Sequence, residues 1–303
     1  MKFGVNILNF GPGMGPSVLS RWARTAESLG YHLVMISDHV AVTDDVQAHY
    51  PVPFYEPFVT LAWLAGITKN VELGTTVAIL PYRNPLVTAR MGANIDQVSN
   101  GRFIFGVGVG WAKEEFEALG VPFEKRGAIS DEYLSAIKEH WTKGTVSRGG
   151  RFASYTGVHT APGPARPPPI WVGGSSDPAL RRTVRFGDAW HPIHERLSWL
   201  RDKGIPRLLQ LADAEAKRVP GFCPRIRLEI TGKPLDEQTR LPGQGTLDQI
   251  RGDLEALGSL NAEYVLFDSY AGKPEGRRDS EADLLMFKTL AEQVLDVKRE
   301  KLR

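Results

Sequence analysis

Residues Val71 to Trp111 read V71-E-L-G-T-T-V-A-I-L-P-Y-R-N-P85, then a run with helical spacing, then G101-R-F-I-F-G-V-G-V-G-W111. An apolar strand runs into Thr75, Thr76 and Val77 and stops at Pro81. A helix pattern spans Leu86 to Val98, and a second buried strand follows whose last residues are almost all glycine. Strand, helix and strand within about forty residues make a βαβ unit, whose two strands must run parallel. Glycines at the carboxyl end of such a strand let a flat ligand lie against bare backbone, because no Cβ stands in the way. Parallel α/β folds carry their chemistry at that end. The same glycines would also serve tight strand–helix packing.

Upstream, Phe3 to Leu8 reads as a strand and Val18 to Leu29 as a helix, with Ser17 as its cap and Gly30 as its stop. The second strand, Leu33 to Ile36, ends in Ser37-Asp38-His39. Val40 to Tyr55 is a polar, proline-bearing loop of a length usual for lids or disordered segments, and Glu56 to Thr68 is helical. Downstream come helices over Ala112–Leu119 and Ser130–Thr142, a hairpin over Gly149–Thr160, and a stiff proline-rich connector to Pro169. The fifth strand, I170-W-V-G-G174, leads into a helix from Pro178 to Phe186. Asp188–Pro192, Arg225–Ile230 and Glu263–Asp268 supply strands six to eight. A broken helical stretch (Glu195–Val219), a polar loop (Lys233–Gly245) and helices at Thr246–Leu257 and Ser280–Val297 fill the intervals, and K298-R-E-K-L-R303 reads as a frayed tail. Eight strands alternating with helices predict a (β/α)8 TIM barrel, one domain over residues 1–303, with inserted loops at the carboxyl-terminal face. An open doubly wound sheet is the alternative.

The 303 residues carry 37 basic and 35 acidic side chains, a net charge of +2 that offers no general attraction to nucleic acid or anionic lipid. The only cysteine, Cys223, has no internal disulfide partner and suits a reducing cytoplasm. No apolar stretch approaches the ~20 residues needed to cross a bilayer, and no signal-peptide pattern opens the chain. The expectation is a soluble cytoplasmic protein that acts on a small molecule.

Asp38-His39 stands at a strand's carboxyl end, where a histidine titrating near neutrality can be tuned by an adjacent acid; a backbone-bonding turn is the other reading. Gly173-Gly174-Ser175-Ser176 runs from a strand into a helix and offers free N–H groups to a phosphate, or an ordinary helix cap. Arg181 and Arg182 would add charge there if they do not simply face water. His191 and His194 flank strand six, with no role assigned. The seven histidines show no metal-ligand spacing, and G-x-S-x-G and Walker patterns are missing. Cys223 reads as incidental.

Taken together, A26-E-S-L-G-Y31 before S37-D-H39, L73-G-T-T-V77 with R83-N-P85, and G101-R-F-I-F-G-V-G-V-G-W111 resemble the luciferase-like monooxygenase superfamily, especially its coenzyme F420-dependent oxidoreductases. F116-E-A-L-G-V-P-F-E-K-R-G127, D131-E-Y-L134 and Pro169–Gly174 continue the similarity over nearly the whole chain. The resemblance implies a TIM barrel with a flavin or deazaflavin across its mouth. Thr76-Val77 would form a cis peptide and bulge under the ring, Gly106 and Gly108 would line its approach, and Gly173, Gly174 and Ser175 would hold the cofactor phosphate. His39, with Asp38 beside it, would sit near the reactive carbon, and Trp111 would shape the pocket. A homodimer is implied as well. Sugar-phosphate dehydrogenases of this branch carry a carboxylate where Trp111 stands, which argues against glucose 6-phosphate.

The leading expectation is therefore F420-dependent hydride transfer to or from an unidentified organic substrate. An FMN-dependent two-component monooxygenase, served by a flavin reductase and shielded by Phe54, Tyr55 and Trp63, is the alternative. A non-catalytic flavin-binding protein comes next, and a sugar-phosphate isomerase or aldolase ranks last.

Overall fold

A computed structural model describes residues 1–274 and 279–303. Its strands are β1 (Lys2–Asn6), β2 (Leu33–Ile36), β3 (Glu72–Thr75), β4 (Ala78–Ile79), β5 (Phe103–Gly108), β6 (Thr145–Gly149), β7 (Ser154–His159), β8 (Ile170–Gly173), β9 (Ala189–His191), β10 (Gly221–Phe222), β11 (Arg225–Arg227), β12 (Glu229–Ile230), β13 (Gln244–Gly245) and β14 (Tyr264–Asp268). Helices α1 (Pro16–Ser28), α2 (Asp44–Gln47), α3 (Pro57–Ile67), α4 (Pro85–Ser99), α5 (Lys113–Ala118), α6 (Arg126–Thr142), α7 (Asp177–Phe186), α8 (Leu197–Trp199), α9 (Ile205–Ala214), α10 (Leu247–Ser259) and α11 (Ser280–Gln293) alternate with them.

The strands form one curled, parallel sheet in the order β10-β9-β8-β5-β3-β2-β1-β14-β11, with β4 added beside β5. Its register pairs Val5 with Val34, Ile36 with Thr75, Phe105 with Ile170 and Ile226 with Phe267. The architecture is TIM-like. Both ends of the ladder lie in one short segment, broken by Cys223-Pro224: Cys223 N–H donates to Trp190 on one side, and Pro224 accepts from Leu266 N–H on the other. Proline has no N–H to donate, so the regular ladder is interrupted there, while isolated bridges join Phe222 to Ala262 and Ile193 to Arg225 on either side of it.

Side chains alternate across the sheet, as the pleat requires. Val34 and Ile36 join the large apolar core beneath the helices, together with Phe103, Phe105, Ile170 and Val172. Leu33, Met35, Ile104, Trp171, Ala189, Cys223 and Leu266 form a separate cluster on the inner face. Cys223 is thus a packing residue of the inner layer, and burial pushes its thiol pKa up. Two residues on from Met35, Ala189, Cys223 and Leu266, at the carboxyl end, stand Ser37, His191, Arg225 and Asp268, whereas Ile104 and Trp171 are followed there by Gly106 and Gly173.

Three expectations change here. The seventh strand does not run from Arg225 to Ile230, because after Arg227 the chain leaves the sheet and Glu229–Ile230 pairs with Gln244–Gly245. The hairpin begins earlier, at Thr145. The basic end is not frayed: Lys301 and Leu302 pair antiparallel with Asp296 and Leu295. No helix among the described residues is long and apolar enough to cross a membrane.

Candidate active site

The polar layer at the strands' carboxyl ends is a connected network. Arg225 Nη2 and Nε donate to Asp268 Oδ2 at 2.6 and 3.0 Å, and Nη1 donates to the Thr76 carbonyl at 2.8 Å and to its hydroxyl at 3.2 Å. Asn6 Nδ2 donates to Asp268 Oδ1 at 2.9 Å, and His194 Nε2 stands 3.3 Å from Oδ2. Burial by itself raises the pKa of Asp268, but Arg225, His194 and Asn6 together hold it well below the usual carboxylate range. His191 Nδ1 lies 2.5 Å from the Cys223 carbonyl, which can only accept, so Nδ1 carries the hydrogen. Its Nε2 then accepts from the Thr76 hydroxyl at 2.9 Å. Desolvation lowers the His191 pKa to about 4, leaving the ring neutral at physiological pH.

Thr76, held from two sides by this network, leads into Val77 through a cis peptide. The Val77 side chain is seated between two glycines. A Cβ at Gly108 would come within 2.6 Å of Val77 Cγ2, and one at Gly173 within 3.1 Å of Val77 Cγ1. Above them opens a mainly apolar cavity of about 240 Å³, lined among others by Val77, Gly108, Trp111, Gly173, Gly174 and Ile193. Thr76, His191 and Arg225 form its polar side. Larger clefts of about 510 and 470 Å³ lie elsewhere, one around Arg196 and Asp253 and one around Lys2 and Glu72. The second is at the amino ends of the strands, and polar groups in both already have partners, as Arg240 has Asp253 and Lys2 has Tyr264.

Asp38 and His39 do not work on each other. The Asp38 carboxylate accepts both guanidinium ends of Arg83, at 2.7 and 2.8 Å, and the Ile79 N–H at 2.8 Å. Arg83 continues to Glu56 at 2.8 Å, and although burial works against its charge, the bonds to Asp38 and Glu56 raise its pKa. The acid against His39 comes from α5 instead: Glu115 Oε2 is 2.6 Å from His39 Nδ1. Neighbouring residues at a strand end point to opposite sides, which is why sequence adjacency misleads here.

The loop after β2 is ordered and aromatic. Phe54 bridges to Phe10, Gly11 N–H donates to the Pro53 carbonyl, and Tyr55 N–H donates to Asn9. Tyr50, Phe54 and Trp111 surround the His39 ring at centroid distances of 5.2, 5.4 and 5.9 Å. Trp63 is exposed on the outer helix α3.

The structure therefore gathers Thr76, Val77, Gly108, Trp111, Gly173 and Gly174 around one cavity, with His39 reached through Trp111. Gly106 lies off it: a Cβ there would sit 1.9 Å from the Thr75 carbonyl oxygen, so this glycine serves the approach of two strands. Ser175 is half-buried just before α7, whose first-turn Asp177 pairs with Arg207 and Arg181. Arg182 is buried against Asp131 and adds no charge to the cavity. The sequence motifs do not single out Glu115, Arg225 or Asp268. The last two could have been found by counting in twos from Cys223 and Leu266 along their strands.

The chain belongs to the luciferase-like monooxygenase family, whose model matches residues 1–220; its members are enzymes. An uncharacterised protein of Mycobacterium tuberculosis is 31% identical over 242 residues, 76% of this chain and 83% of its own. The F420-dependent glucose-6-phosphate dehydrogenase of Amycolatopsis mediterranei is 28% identical over 225 residues, 72% of this chain and 66% of that one. Among solved structures, an F420-dependent secondary alcohol dehydrogenase in complex with an F420–acetone adduct superposes with a TM-score of 0.78 at 16% identity, covering 95% of this chain and 98% of that one. Monooxygenase RslO1 from Streptomyces bottropensis gives 0.78 at 19% identity, over 96% and 98%. The fold is thus shared by F420-dependent dehydrogenases and by monooxygenases.

Proposed function

We propose that this protein is an F420-dependent oxidoreductase on a full (β/α)8 barrel, moving a hydride between the deazaflavin and a small organic substrate. The observation that carries the reading is the seat of Val77 between Gly108 and Gly173, at the base of an apolar cavity. A flat ring fits against such a surface, because the two glycines leave no side chain to hold it off. When bound, the deazaflavin supplies the hydride chemistry. Val77 would support the ring, Gly173, Gly174 and Ser175 would hold the cofactor phosphate ahead of α7, and Trp111 would shape the pocket wall. His39 exchanges the accompanying proton with the substrate. Trp111 stands where a sugar-phosphate dehydrogenase would need a carboxylate, which speaks against that substrate.

A second reading, an FMN-dependent monooxygenase supplied by a flavin reductase, draws support from the aromatic enclosure of His39 by Tyr50, Phe54 and Trp111. Two assays separate the readings: oxidation of reduced F420 with a panel of carbonyl compounds, and oxygen consumption with FMN, a reductase and NADH. Activity in the first alone supports the F420 reading, and activity in the second alone replaces it. Cofactor binding with no turnover in either would make the protein a flavin carrier. His39→Ala is expected to slow turnover far more than it weakens cofactor binding; equal losses would remove His39 from proton transfer.

Cytoplasmic location and a homodimer belong to the same proposal. The dimer is supported by the outer face of α3 and α4, where Val59 (71% exposed), Val98 (62%), Val87 (51%) and Trp63 (38%) leave an apolar surface facing solvent.

A further inference from the structure

We infer that Glu115 is the positioning residue that fixes His39 as its Nδ1–H tautomer, so that the proton of the reaction passes through Nε2. The inference rests on His39 handling that proton. Glu115 is fully buried, and four donors converge on its carboxylate. Oε1 accepts the backbone N–H groups of Val40 and Ala41 at 2.6 and 3.0 Å, while Oε2 accepts the Tyr82 hydroxyl at 2.8 Å and faces His39 Nδ1 at 2.6 Å. Burial first, and then the charge of Glu115, raise the Tyr82 pKa, so this hydroxyl stays a donor.

A carboxylate only accepts, so the nitrogen facing it must carry the hydrogen. The two amides of the following loop pin the carboxylate in place, and the carboxylate in turn pins the ring. Nε2 is left as the free lone pair, in a surround of Tyr50, Phe54 and Trp111 with no polar partner among the described residues. Asp38, the nearer acid in sequence, is unavailable because Arg83 and Ile79 occupy its oxygens. With F420 bound to supply the hydride chemistry, Nε2 would take the proton of a substrate hydroxyl that is oxidised. In the reverse direction the imidazolium returns it.

A purely structural Glu115 and a tautomer-setting one respond differently to Glu115→Gln. Glutamine keeps an oxygen for the Val40 and Ala41 amides, which turns its NH2 group towards His39. Nδ1 must then accept, and the hydrogen moves to Nε2. The test is 15N NMR of histidine side chains in the cofactor-free protein with the ring neutral, His39→Gln providing the assignment. In the unsubstituted protein the hydrogen is expected on Nδ1, and in Glu115→Gln on Nε2. Turnover of F420 by Glu115→Gln should fall by about 10²-fold or more, with F420 affinity held within about twofold. A hydrogen on Nε2 in the unsubstituted protein overturns the inference, and that spectrum does not depend on whether any variant folds. An unchanged tautomer or full turnover in Glu115→Gln does the same while His39→Gln is inactive. Full turnover in His39→Gln overturns the proton-transfer reading itself, and the inference falls with it.

Discussion

The guanidinium of Arg225 joins Asp268, 43 residues away, to Thr76, 149 residues away, with Nη2 at 2.6 Å from Asp268 Oδ2 and Nη1 at 2.8 Å from the Thr76 carbonyl. One side chain thereby ties the last parallel strand to the residue that precedes the cavity floor. Removing it with Arg225→Met leaves Asp268 buried without its main counter-charge, at a cost of about 3–5 kcal/mol. Urea unfolding at pH 7 measures this. A change below about 1 kcal/mol would mean that water or His194 replaces the pair.

Gly108→Ala places a Cβ 2.6 Å from Val77 Cγ2 and forces that side chain towards the ring site. F420 affinity is expected to fall about tenfold or more, since tenfold corresponds to only about 1.4 kcal/mol. Gly66→Ala, on α3 with nothing within 4 Å of the new Cβ, is the control and should bind normally. Equal affinity in both variants would show that the ring does not lie over Val77.

His191 links stability to pH. Its folded pKa of about 4 lies below the ordinary value of 6.5, so the unfolded chain binds the proton first. Stability is therefore full above about pH 6.5 and declines towards pH 4, by about 1.4 kcal/mol per pH unit inside that window. Asp268, with its pKa held low, adds its own loss only below the ordinary carboxylate range of about 4. Comparing unfolding at pH 7 and pH 5, His191→Asn should lose less stability on acidification than the unsubstituted protein. An identical loss would assign the effect to other groups.

The α3–α4 face predicts self-association. Val59→Lys with Val98→Lys should convert a dimer into a monomer in light scattering and leave the fold unchanged by circular dichroism. A monomer before substitution would remove the face from consideration.

Much of this was legible in the sequence because strand parity and glycine placement are local. Leu33–Ile36 is found with its own bounds, and the βαβ unit around Val71–Trp111 holds the cavity floor. What stayed hidden depends on distance in the chain. Glu115 reaches His39 across 76 positions, and nothing in K113-E-E-F-E-A118 says which glutamate turns inward. Gly106 and Gly108 look alike in the sequence, yet one meets the Thr75 carbonyl and the other the Val77 methyls. The seventh strand carried the right alternation but not its exit after Arg227, which is set by the pairing of Glu229–Ile230 with Gln244–Gly245.

The most direct measurement is a fluorescence titration of the purified protein with F420, repeated with FMN. The account predicts saturable F420 binding that Gly108→Ala weakens, and weaker or no binding of FMN. No affinity for either ring system would contradict it.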